Sequence, residues 1–169
     1  MAGERYKGGY KPDIYIQDRD KKLRYVLGNK GERTLICVGI NPNVACDTLS
    51  DKTMNTLISF ATKNGYDSCV MINPYPLICA KPKDLPESYD EEICNENMKH
   101  IEAVFDSMQG SDVLVMWGDR INIDAGLRRM VKRILDAGIR KGMRFLHIND
   151  LSKTGNPYHF MDLCKTKAF

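Results

Sequence analysis

Short apolar runs alternate along this chain with longer segments in which apolar residues recur every three or four positions. The runs at 34–40, Ser68–Ile72 and 112–116 are rich in aliphatic and β-branched residues, which is typical of strands buried on both faces. A fourth run, 143–148, follows the last of the longer segments. Strands that alternate with helices at this spacing predict a parallel sheet covered on both faces.

A helix is expected after each of the first three strands. Ser50 or Asp51 can cap the first helix, and the acidic pair Glu91 and Glu92 suits the positive end of the second. The residues expected on the buried faces are Met54, Leu57, Ile58 and Ala61; Met98, Ile101, Phe105 and Met108; and Leu127, Met130, Val131 and Ile134. The expected stop signals are Gly65, Gly110 and Gly138.

The N-terminal region adds a hairpin to this pattern. Two short runs, Ile14–Gln17 and 23–27, flank a charged turn, as in a β-hairpin or an edge addition to a sheet. The proline-rich stretch that follows the second buried strand and continues to Pro86 is predicted to be an irregular connection. These elements predict a single α/β domain over 1–169, a three-layer sandwich with a mainly parallel four-stranded central sheet and an N-terminal β-hairpin.

Composition narrows the class of protein. The 169 residues are 28% charged and 43% hydrophobic, as in an ordinary globular domain, and no apolar run approaches the roughly 18 residues that span a bilayer. The N-terminus lacks the apolar stretch of an export signal, so we expect a cytoplasmic protein with no membrane partner. The formal net charge of +3 permits nucleic-acid contact without arguing for it, and the oligomeric state is left open.

The six cysteines are expected to be reduced. Cys37 and Cys69 fall in predicted buried strands, where small thiols are common. The other four lack the close spacing of a zinc site, so we predict neither a metal nor a cofactor. Glycine-rich phosphate loops and the nucleophile elbow of α/β-hydrolases do not occur either. The remaining cysteines are Cys46, Cys79, Cys94 and Cys164.

Amide, aromatic and acidic residues follow the predicted parallel strands. Ligands of open α/β sheets bind beyond the carboxyl ends of the strands, so these residues are the candidates for a site. An asparagine amide both donates and accepts, as does the edge of uracil or guanine, and Tyr75 or Trp117 could stack on such a ring. Asparagine before proline also simply ends a strand, and that alternative stays open. The strand-end residues are Asn41 and Pro42; Asn73, Pro74 and Tyr75; Trp117, Gly118 and Asp119; and Asn149 and Asp150.

Histidines and carboxylates supply further candidates. His159 lies in a loop segment that could carry it to the crevice, where an imidazole could donate to a base carbonyl or stabilise a leaving anion; otherwise it is a surface residue. We expect His100 to be solvated and His147 to lie in the sheet. A carboxylate after the first strand, Asp47 or Asp51, could polarise water, although Asp51 is equally a helix cap.

The third predicted helix carries a basic face opposite its apolar stripe. Such a face is usually only solvated, but it is also the best candidate in this chain for phosphate contacts. Both alternatives stay open on the sequence. Its residues are Arg128, Arg129, Lys132 and Arg133.

The stretch 38–43 (VGINPN) resembles GINPG, the first active-site motif of the mismatch-specific uracil-DNA glycosylases. The resemblance implies a uracil-DNA glycosylase-like fold in which Asn41 positions or activates the attacking water. VMIN, which ends at Asn73, is similar to the LLLN whose asparagine reads the base, and VLVMWGD is similar to the LLWG strand. Asn43 replaces the glycine of the motif, which crowds the approach that glycine allows. The expected catalytic residues are thus Asn41, His159 and Asp47, and the expected substrate-binding residues are Pro42, Asn43, Asn73, Tyr75, Trp117 and Gly118.

A second resemblance covers nearly the whole chain. RYVL, INPN, DKT, INPYP, an adjacent Glu96 and Asn97, WG and GNPYH are together similar to an uncharacterised family of unknown function. Members of that family typically read NPS, DxT, a strand-ending N, WG and GxPxHP. Asn43 and Phe160 depart from this pattern. This resemblance implies a fold more than an activity.

Two functions follow as hypotheses. The first is an enzyme that hydrolyses the N-glycosidic bond of a uracil-like or modified base in DNA or a nucleoside. The second is a module that binds a nucleobase, nucleotide or nucleic acid in the same crevice without chemistry, which is favoured by the lack of a well-placed general base. A weaker third is an interaction protein whose motifs only maintain the fold.

Overall fold

A mixed six-stranded sheet is the centre of this protein, for which a computed structural model describes residues 3–79 and 84–160. The strands lie in the order β1-β2-β4-β3-β5-β6. The last four strands of the chain are parallel to one another, whereas β1 and β2 pair antiparallel at one edge. The strands are β1 (Ile14–Gln17), β2 (Arg24–Gly28), β3 (Thr34–Val38), β4 (Ser68–Ile72), β5 (Asp112–Val115) and β6 (Arg144–Leu146).

The N-terminal hairpin belongs to this sheet and does not stand beside it. β2 pairs with β4 through Leu27 and Gly28, which lie opposite Met71 and Val70. Every residue of β2 is buried. The α/β class and the hairpin are confirmed, but the prediction of a mainly parallel four-stranded sheet is wrong, because the hairpin extends the sheet to six strands of mixed direction.

Three helices, α1 (Lys52–Lys63), α2 (Glu91–Ser107) and α3 (Ala125–Arg140), cover the two faces of the sheet. Each begins at an aspartate whose side chain accepts backbone N–H groups of the first turn, and the expected cap Asp51 accepts from Met54 at 2.9 Å. Side chains of a strand alternate between its faces. Leu35 and Cys37 of β3 therefore pack on the α1 side, and Ile36 and Val38 pack on the side of α2 and α3.

The predicted stop of the third helix is wrong. Gly138 lies inside α3, which continues to Arg140. A Cβ atom at Gly138 would lie 2.4 Å from Cζ of Phe145, so the absence of a side chain here allows the helix to pass close to the Phe145 ring of β6. The positive φ that ends the helix belongs to Gly142 instead.

The expectations for two histidines are also wrong. β6 ends at Leu146, so His147 is exposed in the following turn, with Nδ1 2.7 Å from the carbonyl oxygen of Asn149. His100 is not simply solvated, because its ring stacks on Tyr25 with 4.4 Å between ring centroids. His147 thus follows the edge strand β6 in an exposed position, and His100 lies within α2.

Some expectations concern residues outside the part of the chain that the structure describes. Residues 80–83 of the predicted irregular connection fall there, and so does Cys164. The cysteines within the described residues form no disulfide, and Cys37 and Cys69 are buried in their strands as expected. No helix of the described residues is long and apolar enough to cross a membrane.

Candidate functional site

The loops that follow β3 and β4 meet at a crevice, because β3 is the strand at which the winding of the sheet reverses. The chain leaves β3 through α1 to reach β4 on one side, and later returns through α2 to place β5 on the other side. Val38 at the end of β3 pairs with both Ile72 and Val115, so the three strands end at the same level. Such a reversal is where ligands bind in open α/β sheets.

A pocket of about 140 Å³ opens at this point, which we call the strand-end pocket. An engineered cavity of about 150 Å³ in another protein holds benzene, so a pocket of this volume suits a single six-membered ring. Its apolar wall consists of Ile40, Met54, Met71, Met116 and Phe160. The polar side chains that line it include Arg24, Asn41, Asn43, Thr53, Asn73 and His159.

Asn73 is fixed at the end of β4 with its side chain in the pocket. It is 2% exposed, and its Nδ2 is buried without a hydrogen-bond partner. The fully buried Asn97 of α2 donates to the carbonyl oxygens of Asn73 at 2.9 Å and Pro74 at 3.2 Å, which holds this turn in place. Gly39 faces the amide, and a Cβ atom there would lie 2.8 Å from Oδ1 of Asn73.

The two asparagines of the INPN stretch differ in their roles. Nδ2 of Asn41 donates to the carbonyl oxygens of Pro42 at 2.9 Å and Cys79 at 2.8 Å, so it ties the loop after β3 to the loop after β4. Pro42 is buried, and its carbonyl oxygen also accepts from the backbone of Cys79. Asn43, in contrast, has a buried Oδ1 without a partner and lines the pocket.

Arg24 is a pocket residue that the sequence reasoning missed. It begins β2, is 3% exposed, and donates from Nη1 to the carbonyl oxygen of Ala45 at 2.7 Å, whereas its Nε is buried without a partner. Burial lowers the pKa of Arg24, and the nearby charge of Asp51 acts in the opposite direction. The sequence held one signal for this role, namely an arginine at the start of an apolar strand. Arginine is rarely buried unless it has a partner, so its presence in a buried strand indicates a specific role.

His159 separates the strand-end pocket from a neighbouring hollow around Trp117. This hollow has a volume of about 570 Å³, and Trp117 and Gly118 line it. Trp117 is 5% exposed, and its Nε1 has no partner. Gly118 has φ +71°, and a Cβ atom there would lie 3.1 Å from Cβ of His159, so glycine allows the loop that carries His159 to pass close by.

That loop is anchored by Asp119. Oδ1 of Asp119 accepts from Oγ of Ser152 at 2.6 Å, Oγ1 of Thr154 at 2.5 Å and Nδ2 of Asn156 at 3.3 Å. The bonds from Ser152 and then Thr154 hold the pKa of Asp119 below its usual range. Asn156 also donates to Oδ1 of Asn122 at 3.0 Å. The segments that contain WG and GNPYH therefore bind to each other.

Several predicted site residues lie elsewhere. Tyr75 is 3% exposed in the core, where its ring meets the edge of Tyr89 with 4.4 Å between centroids, so a ligand in the pocket does not stack on it. Asp47 is exposed and does not line the pocket. Asn149 and Asp150 are exposed after β6 and do not reach the crevice either. Asn41, Asn43, Asn73 and His159 are the predicted residues that the fold brings together.

The basic face of α3 is paired within the protein. Arg129 forms an ion pair of 2.8 Å with Glu91 of α2, and Arg133 donates to Asn95 at 2.8 Å. Lys132 pairs with Asp136 at 2.6 Å. These side chains join α3 to α2 or to its own next turn, which reduces their capacity for phosphate contacts. Within the described residues, no group of three or more His, Cys, Asp or Glu side chains is arranged to hold a metal ion.

Fold and site together define an α/β protein with a ring-sized pocket at the reversal point of its sheet. Residues 24–161 match the family described as protein of unknown function (DUF1643), and the chain belongs to this family. The second of the two resemblances in the sequence is thereby confirmed. No curated protein and no solved structure matches the chain, so the resemblance to the uracil-DNA glycosylases is not confirmed and stays a prediction.

Proposed function

We propose that this protein binds a nucleobase in the strand-end pocket. The observation that carries the proposal is a pair of buried atoms without partners, the donor Nδ2 of Asn73 and the acceptor Oδ1 of Asn43. An unsatisfied buried polar group costs about 1–3 kcal/mol. A ligand edge that offers one acceptor and one donor would satisfy both atoms, and uracil, thymine and guanine present such an edge.

The rest of the pocket suits a flat ring. Met54, Met71 and Met116 bring polarizable thioethers to its wall, and Phe160 adds an aromatic ring. Phe160 is itself fixed by Phe60, whose ring meets it edge to face with 5.6 Å between centroids. The volume of about 140 Å³ favours one ring over a larger apolar ligand.

Hydrolysis of an N-glycosidic bond is the second candidate function. It is favoured by the presence of Asn41 and His159 in the same pocket. With Nδ2 of Asn41 engaged by the loops, its Oδ1 is the atom suited to accept from an attacking water, and His159 would donate to the leaving base. A carboxylate base is harder to assign, because Asp47 lies outside the pocket and both oxygens of Asp51 accept backbone N–H groups. Binding is therefore the first proposal.

Two assays on the full chain test these proposals. Calorimetric titration with uracil, thymine, guanine and their nucleosides should show saturable binding of at least one base, and the absence of binding across the panel would overturn the first proposal. Base release should be measured in parallel from duplex and single-stranded oligonucleotides that contain uracil, thymine mismatches or modified pyrimidines. Release that disappears in a folded Asn41→Ala variant would establish hydrolysis, whereas no release from any substrate would leave a binding protein.

A further inference from the structure

We propose that the ligand of the strand-end pocket carries an oxyanion, a phosphate or a carboxylate, which pairs with Arg24. This inference rests on the proposed function and narrows it to a nucleotide or another small base-bearing anion. Three observations support it: a buried guanidinium whose Nε lacks an acceptor, the first turn of a helix at the same pocket, and the intramolecular pairing of basic residues of α3.

The guanidinium of Arg24 lacks the partner that its burial requires. It is 3% exposed, its Nη1 donates to a backbone carbonyl oxygen, and its Nε has no acceptor. Within residues 3–79 and 84–160, no carboxylate forms an ion pair with it. Arginine stays charged in proteins, and a buried charge without a counter-ion is strongly unfavourable. An oxyanion in the pocket would accept from the guanidinium in the two-pronged geometry that arginine favours.

The N-terminus of α1 lines the same pocket. Asp51, Thr53 and Met54 are the cap, the second residue and the third residue of this 12-residue helix, and all three line the pocket. The first N–H groups of a helix have no acceptor within the helix. Oδ1 of Asp51 accepts from the N–H of Met54, which leaves the N–H groups of Lys52 and Thr53 without an intrahelical acceptor. Free N–H groups and the helix dipole make such an end favourable for a phosphate or a carboxylate.

Among the described residues, Asp51 is the carboxylate that lines this pocket, and its hydrogen bonds leave the guanidinium of Arg24 without a counter-ion in contact. Its Oδ1 accepts from Met54 at 2.9 Å and its Oδ2 accepts from Ala45 at 3.3 Å, so both oxygens serve the backbone. At its distance from Arg24 it supports the positive charge without contacting the guanidinium. Nε of Arg24 still lacks an acceptor.

A small molecule fits these observations better than a nucleic acid. The pocket holds about one ring, and Arg24 lies inside it and not on a surface that could follow a phosphate backbone. On the basic face of α3, Arg129, Lys132 and Arg133 are paired with acidic and amide side chains, and Arg128 donates to backbone carbonyl oxygens. Binding of nucleic acids depends on many phosphate contacts from exposed lysine and arginine side chains.

The test is calorimetric titration of the full chain in phosphate-free buffer. The probes are uridine and guanosine, their 5′-monophosphates, uracil, uracil-6-carboxylate (orotate), inorganic phosphate, and a short single-stranded oligonucleotide. A monophosphate should bind at least tenfold more tightly than its nucleoside, or orotate at least tenfold more tightly than uracil. The first result would identify a phosphate as the anion and the second a carboxylate.

A charge variant tests the contribution of the anion to the affinity separately from that of the base. Thr53→Glu places a carboxylate at a position that lines the pocket, in the first turn of α1, where an acidic side chain also favours the helix. It should lower the ratio of the affinities for the charged and the uncharged probe of a pair from at least tenfold to about one, whatever its effect on the uncharged probe alone. Thr56→Glu is the matched control, because it adds the same charge one turn further along α1 at a residue that does not line the pocket. This control should keep the ratio of at least tenfold.

The outcomes separate the two proposals. Equal affinity for charged and uncharged forms of one base would overturn the anion and leave nucleobase binding intact. Binding of inorganic phosphate that Thr53→Glu abolishes, without any gain from a base, would overturn nucleobase binding and support the anion site. Tighter binding of the oligonucleotide than of every mononucleotide would overturn the assignment to a small ligand. No binding of any probe would overturn both proposals.

Discussion

Two polar clusters lie beside each other at the carboxyl edge of the sheet, and they differ in how completely their hydrogen bonds are made. The Asp119 cluster consists of Asp119, Ser152, Thr154 and Asn156. The pocket cluster consists of Arg24, Asn43 and Asn73. In the Asp119 cluster one carboxylate oxygen accepts from three side chains. In the pocket cluster each side chain has one buried atom without a partner.

Under the proposed function, the difference separates a cluster that stabilises the fold from a cluster that binds the ligand. A satisfied network fixes its parts, and the Asp119 cluster fixes the loop that ends at His159. An unsatisfied buried group costs about 1–3 kcal/mol, and three such groups around one pocket are a cost that a bound ligand can offset. The family motifs therefore lie in different places: the Asp119 cluster holds GNPYH, whereas INPN lies at the pocket.

Replacement of Asn73 by leucine should cause the largest loss of base affinity with little change in the free energy of unfolding. Nδ2 of Asn73 has no partner to lose, so the free energy of unfolding should stay within about 1 kcal/mol of wild type or increase. The affinity for the base should fall about 100-fold, which corresponds to about 2.7 kcal/mol. Calorimetric titration and chemical unfolding of the same preparation measure the two quantities.

Asn29→Leu is the matched control for that variant. Asn29 also has a buried Oδ1 without a partner, but it follows β2 at the opposite edge of the sheet and does not line the strand-end pocket. Its replacement should leave the affinity unchanged. A loss of affinity in both variants, or a stability loss above 2 kcal/mol in Asn73→Leu alone, would mean that Asn73 serves the fold.

Asn156→Ala should produce the converse result in the Asp119 cluster. Nδ2 of Asn156 donates to Asp119 and Asn122, and the side chain is 9% exposed. Its removal should lower the free energy of unfolding by about 1–3 kcal/mol, because the remaining partners lose a donor. The affinity of the pocket should change less than threefold. A tenfold loss of affinity at unchanged stability would show that the division between the two clusters is wrong.

The order of strands and helices could be predicted because it depends on local patterns. Buried β-branched runs and apolar stripes mark the elements, and the bounds of Ser68–Ile72 and the cap at Asp51 agree with the structure. The extent of the sheet could not be predicted, since the pairing of β2 with β4 joins residues distant in sequence. Gly138 was misinterpreted for a similar reason, because its role depends on contact with Phe145.

The site could be predicted only in part. Asn41, Asn43, Asn73 and His159 were found because they follow strands or belong to recognisable motifs. Tyr75 was assigned to the pocket by the same rule, yet the chain turns it into the core after Pro74. The direction of a side chain after a strand depends on the turn that follows, and no periodicity encodes it.

Gly39→Ala should have a smaller effect than the loss of Asn73. The added Cβ atom would lie 2.8 Å from Oδ1 of Asn73, so the amide must move away, while the next neighbour, Sδ of Met71, is 3.6 Å distant. We expect a tenfold loss of base affinity, about 1.4 kcal/mol, with a change in melting temperature of a few degrees at most. Combination with Asn73→Leu should add no further loss of affinity. Additive losses would show that Gly39 acts through the backbone and not through the amide.

The smallest expected effect is the pH dependence of the Asp119 cluster. Bonds from Ser152, Thr154 and Asn156 hold the pKa of Asp119 below its usual range, so its contribution to stability is present above about pH 3.9 and is lost as the pH falls through the lowered pKa. Asp119→Asn should therefore be less stable than wild type at pH 7, and the difference should disappear towards pH 2. Because Asp119 is exposed to solvent, screening keeps this difference below that of Asn156→Ala. A difference that stays constant from pH 7 to pH 2 would mean that the bonds to Asp119 do not depend on its charge.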